Sequence, residues 1–464
     1  MPKRIATVLM LALALNACKK PPPPAPENTH ELVVATRQGP STYYINHAGV
    51  AAGFEHDLVS DFSRQQGWAL RWDVQDTAEE VLSKIEKNTA HFAAAALTES
   101  AVLARRLRPG PVLFETPVWV IYRNTDPRPL SIADLSGKKL ALIDNAGQQL
   151  LMMRLKRKAP GLSWQSLAHV WPEELLARLD RGDFDAVIVN GMDFDLSRNV
   201  YPNLSVAFEL DEKQKIVWAL PRNAPPEMLN KLQRFIAQAR QTNTIKRIYE
   251  RYYGHTSRLD NQDVLGILDR RTKLLPKLRR HFQEAQTLTG IDWRLLAAIG
   301  YQESKWDPYA TSRSGVRGLM MLTGETADRM GVQDRLDARQ SILGGARYLV
   351  LMKEALPTRI AEPDRTWIAL AAYNQGQGHM EDARRIAQAR GDHPDSWADV
   401  KEALPLLGRG GYDKVVKYGY ARGGEALIFT ENIRAYYDIL LRTEREYRPY
   451  FNLGRSEAAP DDAS

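Results

Sequence analysis

The chain has 464 residues, 44% of them hydrophobic and 26% charged, which is too long for one ordinary domain and typical of soluble globular protein. Two domains of roughly 200 residues could each bury a core. The net charge of +7 suits an acidic partner such as cell-wall polymer or anionic lipid, but the excess is spread along the chain, and no Arg/Lys block with interleaved aromatics marks a nucleic-acid surface.

Lys3 and Arg4 precede an apolar stretch, Ile5 to Ala17, that is too short to span a bilayer as a mature helix and reads as a signal peptide over residues 1–17. It ends at Leu15-Asn16-Ala17-Cys18, which contains the only cysteine of the chain. One cysteine forms no internal disulfide, and no metal-ligand cluster uses it. In this position Cys18 resembles the lipidated cysteine of a bacterial lipobox, with Asn16 departing from the small or apolar residue usual there. Residues 18–30 continue as a tether around Pro21-Pro22-Pro23-Pro24, stiff and unable to pack. The resemblance implies a lipid anchor. Lys19, where an Asp would favour the inner membrane, implies the periplasmic face of the outer membrane of a Gram-negative cell. Plain signal cleavage with peripheral membrane association is the alternative.

From residue 31 to about 258 short apolar runs alternate with helical stretches. Leu32–Ala35, Ala93–Leu97, Val118–Tyr122, Leu140–Ile143 and Ala186–Val189 read as strands; Asp57–Gln66, Glu173–Leu179 and Pro226–Gln241 read as helices. That alternation predicts an α/β domain with a largely parallel sheet. Residues 259–464 read as all-α, with helices over Val264–Leu288, Trp293–Ser304, Ser341–Glu354, Arg365–Tyr373 and Thr430–Tyr447 and a frayed tail from Ser456.

The chemistry is concentrated in the second half. Asp292 is a good N-cap for a helix whose apolar stripe is Leu295, Leu296 and Ile299. Glu303 sits one turn beyond Ile299, close to the buried face and at the negative end of the helix dipole. Both surroundings raise a carboxyl pKa, as a general acid at neutral pH requires. Downstream come a Ser/Gly turn, Ser312-Arg313-Ser314-Gly315-Val316-Arg317-Gly318, then Leu319-Met320-Met321, and a helix end at Ala371-Ala372-Tyr373-Asn374-Gln375-Gly376. Singly each is ordinary: methionines fill cores, and Asn before Gly caps helices.

In this order the segments resemble the soluble lytic transglycosylase family, whose fold is like goose-type lysozyme, and the resemblance covers about residues 260–455. Met321 stands where that family usually has Gln. Met-Met at this point behind an α/β half resembles the membrane-bound lytic murein transglycosylases within it, as do Ala421–Ala426 and Glu431–Tyr436. The resemblance implies cleavage of the β-1,4 bond between N-acetylmuramic acid and N-acetylglucosamine in peptidoglycan glycan strands, with 1,6-anhydromuramoyl products, by Glu303 acting first as acid and then as base. It implies substrate contacts from Ser312, Ser314, Met321, Tyr373, Asn374 and Tyr436, with the Tyr436 hydroxyl orienting Glu303. No cofactor and no metal are implied. A hydrolase would need a second carboxylate; the nearest downstream acid, Asp307, precedes Pro308 and reads as structural. Product chemistry separates a lyase from a lysozyme-like hydrolase, and a solute receptor with an inactive helical domain is the third reading.

Residues 31–258 resemble periplasmic solute-binding proteins for amino acids through Gly53-Phe54-Glu55-His56-Asp57-Leu58 and Leu135-Ser136-Gly137-Lys138-Lys139-Leu140. The resemblance implies a two-lobed fold closing on an amino-acid-like or muropeptide ligand. Arg105, Arg106 and Arg108 are its candidates for gripping a carboxylate, and Asn190 stands where the family has an amine-binding Asp.

Overall fold

A computed structural model describes residues 21–448 apart from 47, 48, 145, 212, 314 and 413. The signal segment, Cys18, Ser314 and the tail lie outside the described residues. The chain divides into two compact units, Met1–Ser257 and Arg258–Ser464.

The first unit contains strands β1 Glu31–Arg37, β2 Tyr44–Ile45, β3 Ala51–Ala52, β4 Ala69–Gln75, β5 Phe92–Thr98, β6 Arg108–Thr116, β7 Val118–Arg123, β8 Leu140–Ile143, β9 Trp164–Leu167, β10 Ala186–Asn190, β11 Leu204–Glu209 and β12 Gln214–Leu220. Its helices are α1 Pro26–Thr29, α2 Phe54–Gln66, α3 Ala78–Glu86, α4 Glu99–Ala104, α5 Ala146–Lys158, α6 Pro172–Asp180, α7 Gly191–Ser197, α8 Pro226–Gln241 and α9 Thr244–Tyr253. Two five-stranded sheets form, in the orders β4-β1-β5-β12-β6 and β11-β7-β10-β8-β9. Each has both faces covered. Along β1, Leu32 and Val34 join one apolar cluster while Val33 and Ala35 join another, and β7 alternates in the same way between Val120 and Ile121.

The sheets are mixed, whereas the strand–helix alternation predicts largely parallel ones. β1 runs parallel to β4 and β5, but β12 is antiparallel to both β5 and β6; β7 is antiparallel to β10 and β11. The chain leaves the first sheet after β6 and returns to it at β12. The crossing strands arrive without a helical crossover, and only such a crossover enforces parallel pairing.

The second unit consists of α10 Asn261–Lys273, α11 Leu275–Thr289, α12 Trp293–Ser304, α13 Gly324–Met330, α14 Ala338–Glu354, α15 Asp364–Gln375, α16 Gln377–Ala389, α17 Trp397–Ala403 and α18 Gly423–Thr443. The single helix expected over Val264–Leu288 is two, because Pro276 lacks an N–H and opens a new helix. The last helix begins earlier than expected, at Gly423, and stops at Thr443. Its end is fixed by Glu444, whose carboxylate accepts hydrogen bonds from Arg271 (3.3 Å) and Arg279 (2.7 Å). Helix α12 is buried continuously from Trp293 to Tyr301, so it is the core helix around which the others pack.

Candidate active site

Asp292 caps α12 by accepting the Arg294 N–H (2.8 Å), and it also pairs with the buried Arg294 guanidinium (2.6 Å). The helix ends with two residues in the left-handed region, Lys305 (φ 55°) and Trp306 (φ 63°). The Lys305 N–H returns to the Tyr301 carbonyl and the Trp306 indole N–H donates to the Ala297 carbonyl (2.7 Å). This closure holds Glu303 in the last ordered turn, half-buried at the edge of the core.

Burial pushes the Glu303 carboxyl up to about 8 from an ordinary 4.5. Desolvation is the whole cause; the helix dipole invoked from sequence is not needed, and no charged neighbour contributes. Among the described residues the carboxyl has no hydrogen-bond or ion-pair partner. It is a protonated, unclaimed acid at neutral pH, and no second carboxylate lies near enough to shift it. Asp307 is exposed and accepts the Tyr309 N–H (2.9 Å), the turn-forming role expected of it.

The motif segments are tied to this helix end. Next to Glu303, Ser304 Oγ donates to the Leu319 carbonyl (2.8 Å) and to the Gly300 carbonyl (3.1 Å). Leu319 and Met320 are fully buried. Gly318 leads into them at φ +85°, where a Cβ would sit 1.8 Å from the Arg335 carbonyl oxygen, so only glycine fits. Met321 follows at φ 45°, partly exposed. Tyr373, near the end of α15, donates its hydroxyl to the Met320 carbonyl (3.2 Å). Burial, and after it the Glu303 charge, raises the Tyr373 phenol. The Tyr373 ring lies between Tyr348 (5.0 Å) and Phe429 (6.3 Å).

The structure therefore gathers Glu303, Met321 and Tyr373 around one segment. Ser312 is half-buried, its Oγ accepting the Val316 N–H (3.1 Å) within the turn, and Asn374 is exposed at the end of α15. Tyr436 is 1% exposed, and its hydroxyl accepts from Lys305 Nζ (3.2 Å). It braces the helix end through Lys305 and makes no hydrogen bond to Glu303. The Lys305 ammonium lies 4.4 Å from the Tyr301 ring and 4.9 Å from the Tyr436 ring. Ser304 is legible in the sequence as the second residue of the Glu-Ser helix end, whereas Lys305 and Trp306 carry no signal beyond adjacency to Glu303.

In the first unit two of the three candidate arginines are engaged elsewhere, and Arg106 is exposed. Arg105 pairs with Glu79 and Glu86, and Arg108 donates to the Ala224 carbonyl (3.3 Å). Asn190 caps α7 by accepting the Asp193 N–H (2.8 Å). The cation that faces buried acids is instead Arg37: its charge opposes the desolvation that raises Glu55 to about 8 and Asp193 to about 6. Its Nε donates to the Ala95 carbonyl (3.2 Å), and its guanidinium lies 5.8 Å from the Trp171 ring.

Fold and site together define a class: a two-lobed solute-binding-type α/β module followed by an all-α lysozyme-like domain with one raised acid that has no partner among the described residues. Residues 32–255 match the model of bacterial extracellular solute-binding proteins, family 3, and residues 280–395 match that of the transglycosylase SLT domain. A Thiobacillus denitrificans protein named membrane-bound lytic murein transglycosylase F is 64% identical over 97% of this chain and 95% of its own length. Proteins of the same name from Nitrosospira multiformis and Methylobacillus flagellatus are 44% and 41% identical, over 91% and 97% of this chain and 88% and 96% of their own. The chain belongs to the membrane-bound lytic murein transglycosylase F family.

Proposed function

We propose that this chain is a peptidoglycan lytic transglycosylase in which Glu303 is the catalytic residue. The observation that carries the reading is a single half-buried carboxyl, raised to about 8, with no hydrogen-bond partner among the described residues and no acidic neighbour. Protonated, it donates to the glycosidic oxygen between N-acetylmuramic acid and N-acetylglucosamine as the C1–O4 bond breaks. Once ionised, it takes the proton of the muramic C6 hydroxyl, whose oxygen bonds to C1 and closes a 1,6-anhydro ring. No water is consumed. A hydrolase of ordinary design would need a second carboxylate about 5–9.5 Å away to act as nucleophile or to activate water.

Met321, Tyr373 and Asn374 line the glycan side in this reading, with Ser312 and Ser314 on the turn and Tyr436 behind the helix end. The first unit takes an amino-acid-like or muropeptide ligand, and the altered environments of Arg105, Arg108 and Asn190 argue for a departure from free amino acids. Residues 1–17 act as a signal peptide and Cys18 carries a lipid that holds the protein at the periplasmic face of the outer membrane. No helix among the described residues is long and apolar enough to cross a membrane.

Mass spectrometry of muropeptides released from purified sacculi tests the reading, with the intact protein beside Glu303→Gln. Anhydromuramic ends that disappear in the variant are expected. Reducing ends would show a hydrolase, and no release by either protein would show a receptor.

A further inference from the structure

Exposed aromatic side chains are few in the second unit, and all of them are tyrosines. Among the described residues they are Tyr309 (74% exposed), Tyr418 (53%) and Tyr420 (73%). Two of the three share one segment, between the short helical turn Leu404–Gly408 and α18. That segment lies beyond residues 280–395, the part matched by the transglycosylase model. Its stretch at Lys417 and Tyr418 is anchored from the core. Asp382, on α16 and fully buried, accepts the backbone N–H groups of Lys417 (2.8 Å) and Tyr418 (2.6 Å) while pairing with Arg385 (2.9 Å). Burying a carboxylate is costly unless such bonds satisfy it, and here those bonds fix the backbone of an exposed ring.

The ring itself lies flat on a helix. Gly378, in the first turn of α16, has no Cβ; one placed there would be 2.9 Å from Tyr418 Cγ and Cδ1. His379 meets the ring edge at 6.3 Å. One face of Tyr418 is thus seated on α16 and the rest of the ring is open to solvent, an arrangement that presents an aromatic platform. The platform stands beside the site: α16 begins immediately after Asn374-Gln375-Gly376, the helix end that carries Tyr373. The surroundings are cationic. Arg409, Lys414, Lys417 and Arg422 lie in this segment against one acid, Asp413, and Lys417 Nζ is 5.6 Å from the Tyr418 ring.

We propose that Tyr418 and Tyr420 form a further saccharide-binding subsite, on which a pyranose ring of the glycan strand stacks some way from the bond being cleaved, with Lys417 facing a carboxylate of the attached peptide. The proposal rests on the transglycosylase reading of Glu303, because a strand cut in mid-chain must continue on both sides of the acid. Aromatic faces pack on the apolar C–H face of sugars as they pack in cores. The local positive charge complements the acidic stem peptides.

The test uses the full-length protein in a Glu303→Gln background, so that binding is read without turnover, and purified sacculi as the probe. In co-sedimentation, Tyr418→Ala/Tyr420→Ala should weaken the apparent Kd about tenfold, and Tyr418→Phe/Tyr420→Phe, which keeps both rings, should restore it to within about twofold. Tyr420→Ala alone guards against misfolding, because its side chain is almost free of packing; about threefold weakening is expected. Binding by the double alanine variant equal to that of the parent overturns the proposal. So does equal loss in the alanine and phenylalanine variants, since hydroxyls rather than ring faces would then be responsible. The reading of Glu303 fails separately: if the protein with Glu303 intact releases no anhydromuramic ends, that reading falls whatever the tyrosines do.

Discussion

Two glutamates in this molecule are pushed up to about 8 by burial, one in each unit, and only one is built to act. Glu55, near the start of α2, is 1% exposed and lies behind its neighbours. One of its carboxyl oxygens accepts the Ala96 N–H (2.9 Å), and the charge of Arg37 opposes its desolvation. Glu303 is buried enough to keep its proton, yet it reaches the surface and has no partner among the described residues. A raised pKa is therefore not a catalytic signature by itself. What separates the two is a path to substrate: Glu55 also has one oxygen without a partner, but that oxygen is buried, whereas Glu303 reaches the surface.

The sharpest way to break this comparison is to neutralise each acid in turn. Glu303→Gln should lower anhydromuramic product formation by at least about 10²–10⁴-fold in a muropeptide release assay. Glu55→Gln should change it by less than about threefold. A comparable loss in both would mean that Glu55 also serves the reaction.

Next is the pH profile. Glu303 must carry its proton to act as acid, so the rate should fall about tenfold per unit as pH rises above about 8. A plateau extending to pH 10 would assign the acid elsewhere.

Stability sharpens the comparison further. Both carboxyls hold their proton more tightly when folded than the ordinary 4.5. Their contribution is therefore complete below about 4.5 and is lost as pH rises to about 8. Replacing Glu55 by Gln should stabilise the first unit at pH 7 by about 2–3 kcal/mol, and Glu303→Gln the second by less, since solvent reaches that carboxyl. Calorimetry at pH 4 should show neither gain. Smaller again is Ser304→Ala, which removes the bond to the Leu319 carbonyl; about 1 kcal/mol of stability and a several-fold loss of turnover are expected from melting and kinetic assays. The smallest effect should come from Tyr436→Phe, which removes one acceptor from the Lys305 ammonium; its melting temperature should fall by no more than about 1 kcal/mol allows.

Sequence legibility also differed between the units. The strands read correctly were apolar runs buried on both faces, such as β8 over Leu140–Ile143. The strands passed over were those whose composition hides them. β4 is half-exposed, with Arg71 and Asp73 inside it, and sits at a sheet edge. β6 opens Arg108-Pro109-Gly110-Pro111, residues that stop a strand in a sheet centre but are tolerated at the edge it occupies. In the helical unit α12 was read to the residue, because Asp292 caps it and its apolar stripe is continuous.

By itself the sequence determined the order of motifs, the helix that presents Glu303 and the carboxyl's place near a buried face, because caps and periodicity act over a few residues of chain. Tertiary structure alone decided that this carboxyl is left without a partner, that Ser304 and Tyr373 tie its helix to the Leu319–Met321 segment, and that the Tyr436 hydroxyl is taken by Lys305. Those contacts join residues 15 to 131 positions apart. Which polar group meets which across such a separation is settled by packing, and local propensity carries no record of it.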